Sequence, residues 1–102
     1  MSNYSVEAHP DVESDYGDAY HWYELQLAGL GERFLKQARQ KIDEIITSPE
    51  IYGEKERKGY REAKIDDFPY LIVYRIFPKR KSIFISAIHH EKMDPKKKYR
   101  KP

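Results

Sequence analysis

Ten residues in the second half of this 102-residue chain combine positive charge with aromatic rings: Lys55, Arg57, Lys58, Tyr60, Arg61, Arg75, His90, Lys92, Tyr99 and Arg100. Lysine and arginine bind phosphates by charge, tyrosine stacks on bases, and cations stabilise charge that develops at a phosphoryl centre. His90 adds an imidazole, a side-chain type suited to general acid or base work. The same residues have plainer readings, and these stay open. Arg75 can pair across a sheet with a carboxylate such as Glu62, His90 can end a strand on a backbone carbonyl, and the run KKKYRK at 96–101 can be a solvated tail.

Other chemistries find little support. There is no cysteine, so disulfides, thiolate nucleophiles and cysteine-based zinc sites are excluded. The adjacent pair His89 and His90 lies in a strand-like segment, where neighbours point to opposite faces, so the two cannot share one ion. His9 and His21 are isolated, no His-Glu-x-x-His helix occurs, and neither a Gly-x-Ser-x-Gly elbow nor a glycine-rich phosphate loop is present. No metal and no cofactor is expected.

The formal charge of +2 conceals an asymmetry. Residues 1–50 hold four Lys/Arg against ten Asp/Glu, a balance of −6, whereas residues 51–102 hold fifteen against seven, a balance of +8. The second half is where a polyanion or an acidic partner would be drawn. The N-terminal segment has neither a basic region nor an apolar stretch of the secretory type, and FPYLIVYRIF is about half a membrane span and carries Arg75. A cytoplasmic protein with no membrane partner is expected.

The elements that must position these residues follow from periodicity. Tyr4, Val6 and Ala8 alternate with polar neighbours as in a half-buried strand. Pro10 and the acids Asp11, Glu13 and Asp15 then suit a helix start. Val12, Tyr16, Ala19, Tyr20, Tyr23 and Leu27 recur at helical steps, predicting a helix over 11–26. Ala28-Gly29-Leu30-Gly31 interrupts it. Phe34, Leu35, Ala38, Ile42, Ile45 and Ile46 predict a second helix, which Ser48-Pro49 stops. After a polar connector at 50–59 come strands over 60–65, 68–77 and 82–89, the last two joined by the turn Pro78-Lys79-Arg80-Lys81. At this length one domain spanning 1–102 is expected, with a basic tail at 95–102 expected to be flexible.

The strand at 68–77 is apolar on both parities and should be central. If the turn pairs Phe77 with Ser82, Arg75 shares a face with Ser82, Phe84, Ser86 and His90. His89 then joins Ile83, Ile85 and Ala87 on the face that the helical hairpin covers. The face of Arg75 and His90 would be the open one, and a one-residue slip would exchange the two histidines.

Several of these segments resemble the RelE/ParE toxin superfamily over nearly the whole chain. They are GERFLKQARQKIDEIITSPEIYG, GYREAKIDDFPYLIVYRI with its Gly59-x-Arg61 and Phe68-Pro69-Tyr70-x-x-x-Tyr74-Arg75, and AIHHEKMDP, whose His90-x-Lys92-x-Asp94-Pro95 is similar to the family's His-x-Arg-x-Asp ending. The family commonly carries a tryptophan near position 98, where this chain has Lys98 and then Tyr99.

The resemblance implies an α+β fold ordered strand, helix, helix, strand, strand, strand, with a four-stranded, largely antiparallel sheet packed on a helical hairpin. It implies the toxin of a bacterial type II toxin-antitoxin system, often described as a plasmid stabilisation protein. Its partner would be a cognate antitoxin, with a toxin-antitoxin hetero-oligomer expected. The ending HHEKMDP is more similar to ParE-like members, which poison DNA gyrase and are not enzymes, than to RelE-like members, metal-independent mRNA interferases that cut messenger RNA on the ribosome. If the chain is RelE-like, the resemblance implies that Arg61 and Arg75 hold the scissile phosphate and His90 acts as acid or base. Lys55, Arg57, Lys58, Tyr60, Lys92, Tyr99 and Arg100 would contact nucleic acid or another target. A third alternative is an inactive member that only binds its partner.

Overall fold

The structure is a computed structural model that describes residues 4–55 and 57–102. Its order is β1 (Ser5–Ala8), α1 (Val12–Gln26), α2 (Leu30–Thr47), β2 (Tyr60–Lys64), β3 (Tyr70–Phe77) and β4 (Ser82–His90). The predicted elements therefore form, with ends moved by a residue or two. Strand order in the sheet is β1-β4-β3-β2, with β1 parallel to β4 and the other two pairings antiparallel. Among the described residues no helix is long and apolar enough to cross a membrane.

α1 buries Val12, Ala19 and Tyr23, and α2 buries Phe34, Ala38 and Ile45, at four- and seven-residue steps. These meet Ile72, Tyr74, Ile83, Ile85 and Ile88 from the sheet in one core. Its centre is aromatic: Tyr23 stacks on Phe34 at 5.5 Å, and Phe68 meets both rings edge-on at 4.9 and 5.3 Å. Such edge contacts are favoured by the ring quadrupoles.

The hairpin is closed by one side chain. The Glu24 carboxylate, in the last turn of α1, accepts the N–H of Gly29 at 3.1 Å and of Gly31 at 2.7 Å. It thereby satisfies donors that the start of α2 leaves free, and the bond from Gly29 above all holds its pKa below the usual carboxylate range. Gly31 is required for a different reason: a Cβ there would stand 2.7 Å from the Tyr20 carbonyl oxygen. At the far end Tyr74, fully buried in β3, donates its hydroxyl to the Pro49 carbonyl at 2.7 Å and pins the exit of α2 to the sheet.

Lys41 is the buried cation of α2. Burial works to lower its pKa, but its ammonium is 2.7 Å from Glu44 Oε2 and donates to the Tyr52 hydroxyl at 3.1 Å, and these contacts leave it raised.

β3 and β4 form the middle of the sheet, as expected for β3. Their register follows the predicted pairing from Phe77 and Ser82 to Tyr74 and Ile85. There it shifts: Val73 lies opposite Ala87, so Ser86 is an extra residue in β4, a β-bulge.

The shift corrects the predicted faces. Beyond the bulge Ala87 packs with Val73 and Tyr60 away from the hairpin, while Ile88 enters the main core. His89 lies opposite Leu71 and His90 opposite Tyr70. The two histidines are exchanged: His90 lies on the hairpin side and His89 on the side of Arg75.

Candidate functional site

The face expected to be open is covered along its middle by residues 98–100, within the tail expected to be flexible. Tyr60, Val73 and Ala87 lie under this segment, with Leu71 and Tyr99 packed on them. The Tyr60 hydroxyl donates to the Arg100 carbonyl at 2.8 Å. Ser86 Oγ donates to the Lys98 carbonyl at 2.8 Å and accepts the Arg100 N–H at 2.7 Å. Glu62, on the β2 edge, accepts from the Tyr99 hydroxyl at 2.7 Å and pairs with Lys98 at 2.9 Å.

The Arg100 guanidinium clasps Asp15 of α1 at 2.7 and 3.0 Å, the two-pronged geometry that carboxylates favour. Asp15 also accepts the N–H of Ile88 at 3.0 Å, just past the point where β1 leaves β4. One carboxylate therefore joins α1, β4 and the C-terminal segment. Of the sequence-predicted target contacts, Tyr60, Tyr99 and Arg100 hold this seam. Lys55, Arg57, Lys58 and Lys92 are exposed, and Arg57 lies over the Tyr99 ring at 5.7 Å.

Arg75, Arg61 and His90 do not converge, contrary to the arrangement that the RelE-like reading implies. Arg75 lies opposite Tyr60 and Arg61 opposite Tyr74, so the two arginines take opposite faces of the sheet. The Arg75 guanidinium lies over the rings of Tyr60 at 5.0 Å and Phe77 at 5.2 Å, a cation–π arrangement. Gly59, at φ 89°, lies against it, and a Cβ there would come within 3.0 Å of Nη2. Arg75 forms no ion pair with any described carboxylate, and the Glu62 pairing considered from sequence is taken instead by Lys98.

Arg61 donates to the Tyr52 carbonyl at 2.6 Å. It lines a cleft of about 200 Å³ that also holds the carboxylates Glu50 and Glu54.

His90 closes the turn after β4. Its Nδ1 accepts the N–H of Lys92 at 3.0 Å and its carbonyl accepts the N–H of Met93. The ring meets Tyr70 edge-on at 5.0 Å and lines an apolar cleft of about 480 Å³ with Trp22, Tyr23, Pro69 and Met93. Trp22 is 55% exposed there. It was absent from the predicted site, although its place outside the Val12, Ala19, Tyr23 stripe was a legible signal. Asp15 and Ser86 were missed because their partners lie far along the chain. Among the described residues no cluster of His, Asp or Glu could hold a metal.

The profile of the ParE toxin family, described as ParE toxin of the type II toxin-antitoxin system parDE, matches residues 6–95. Among solved structures, a chain of the chromosomal ParDE toxin-antitoxin system from P. aeruginosa superposes with a TM-score of 0.74 at 16% identity, over 85% of this chain and 95% of that one. A free, doubly arginine-substituted form of the toxin RelE from E. coli superposes with a TM-score of 0.67, also at 16% identity, over 90% of this chain and 86% of that one. At such identity the likeness is one of fold. No curated protein sequence matches.

Proposed function

The chain belongs to the ParE toxin family of type II toxin-antitoxin systems, and on that premise we propose that it arrests growth in the cytoplasm by poisoning DNA gyrase. Membership of the family implies a cognate antitoxin as partner, and we propose that this antitoxin neutralises the chain in a hetero-oligomer. The observation that carries the non-nucleolytic reading is the register. Cleavage of a phosphodiester without metal needs a proton-transfer group within hydrogen-bond reach of a phosphate that cations also grip. Here the bulge sends His90 to the hairpin side, Arg61 is tied to Tyr52 and Arg75 is on the other face.

The contact with the target falls to exposed cations, Lys55, Arg57, Lys58 and Lys92, which steer association and bind by charge. Arg57 and Tyr99 together line a further cleft with Pro95 and Lys96.

A second reading, a RelE-like endoribonuclease, is favoured by the Arg75 guanidinium, which sits between two rings with no carboxylate paired to it among the described residues. Induced expression separates the two. Gyrase poisoning gives filamentation, DNA-damage signalling and altered plasmid supercoiling with messenger ends unchanged. Early messenger cleavage with normal supercoiling overturns the gyrase reading, and normal growth under full induction overturns both.

A further inference from the structure

His89 is a buried titratable group that this function does not use. It is 5% exposed, and its Nε2 is buried with no hydrogen-bond partner among the described residues. It sits on the face covered by residues 98–100, opposite Leu71 of β3. The charges that act on it come from three elements: Lys98 of the C-terminal segment, Glu62 of β2 and Asp15 of α1, with the Met93 backbone hydrogen-bonded to the ring. Each of these charges already has a partner, since Lys98 pairs with Glu62 and Arg100 with Asp15. A neutral imidazole fits this surround, whereas a proton adds a cation beside Lys98 where both carboxylates are engaged.

We propose that His89 is a proton-sensitive latch: protonation of its imidazole releases residues 98–100 from the sheet and opens the surface of Tyr60, Val73 and Ala87. The segment is the part that yields because side chains hold it. Ser86, Tyr60, Glu62 and Asp15 bind it, and no strand ladder joins it to β2 or β4.

The sign follows from linkage. Burial, and after it Lys98, lowers the pKa of His89 from 6.5, against the pull of the Met93 backbone, Asp15 and Glu62. Release hydrates the ring and restores an ordinary value, so the released state binds the proton more tightly. Closure is complete above 6.5 and is lost as pH falls through the lowered value, by at most about tenfold per pH unit for one proton.

Hydrogen exchange of the full chain by mass spectrometry at pH 7.5, 6.5 and 5.5, corrected for intrinsic rates, tests the latch. Protection of residues 96–102 should fall several-fold between pH 7.5 and 5.5 in the parent and in His90→Gln, and stay level in His89→Gln. Protection that is independent of pH in the parent, or an equal fall in His89→Gln, overturns the proposal. If His89→Gln does not fold, NMR of the parent decides. The His89 ring should titrate below 6.5, and the Arg100 amide signal should change with the same midpoint. Separate midpoints overturn the latch.

Discussion

Removing the Asp15 carboxylate should destabilise this protein more than removing the arginine that it holds. Asp15→Ala takes away the acceptor of the Ile88 N–H and both acceptors of the Arg100 guanidinium. A buried N–H left without a partner costs about 1–3 kcal/mol. The ion pair, whose side chains are 16–23% exposed, adds about 1 kcal/mol, because solvent recovers part of its worth. The expected loss is about 2–4 kcal/mol, which for a domain of this size lowers the melting temperature by roughly 10–20 °C.

Arg100→Ala leaves the Ile88 bond intact and should cost about 1–2 kcal/mol. Asp15→Asn keeps one acceptor for Ile88 and should fall between the two. Because both residues act through one contact, the double variant should cost less than the sum of the singles. Urea unfolding followed by far-UV circular dichroism measures all four. Equal costs for Asp15→Ala and Arg100→Ala, or strict additivity, would refute the idea that one carboxylate joins three elements.

Other consequences are open to simpler measurements. Gly31→Ala forces a Cβ against the Tyr20 carbonyl and should cost about 1–3 kcal/mol in the same unfolding assay. Tyr74→Phe removes the bond to Pro49 and should cost about 1 kcal/mol. Burial pushes the phenols of Tyr16 and Tyr74 up from 10.0 to about 12, so the stability they contribute is complete below pH 10 and lost as pH rises through 12; phenolate absorbance should rise with unfolding, and ordinary titration in the folded state would contradict the burial. Under the gyrase reading His90→Ala retains toxicity, whereas the joint substitution of Lys55, Arg57, Lys58 and Lys92 by alanine weakens it; the reverse pattern in growth assays would favour the nuclease.

The element order was legible because each helix repeats its apolar residues at helical steps and β3 is apolar on both parities. The histidine assignment failed at Ser86. Nothing in Ile85-Ser86-Ala87-Ile88 marks a bulge, for there is no glycine or proline, and a strict alternation reads through it. What engages the extra residue is remote: Ser86 Oγ is held by the backbone of residues 98 and 100, and Asp15 accepts from Ile88. The same distance hid the seam. Tyr99 and Arg100 read as surface residues because their partners, Glu62 and Asp15, are brought to them only by the finished sheet.

The parallel pairing of β1 with β4 also governs the order of assembly. Ser5 finds its partner only at Ser82, so the first strand emerges from the ribosome long before the strand that receives it. The α1 and α2 hairpin, with its local Glu24 clasp, can form at once, and β1 waits. Closing so long a loop slows folding, since its entropy is lost before the pairing repays it. Synthesis therefore passes through an interval in which the hairpin's apolar face has no sheet to cover it, and in that interval the nascent chain is open to proteolysis and to capture by other chains.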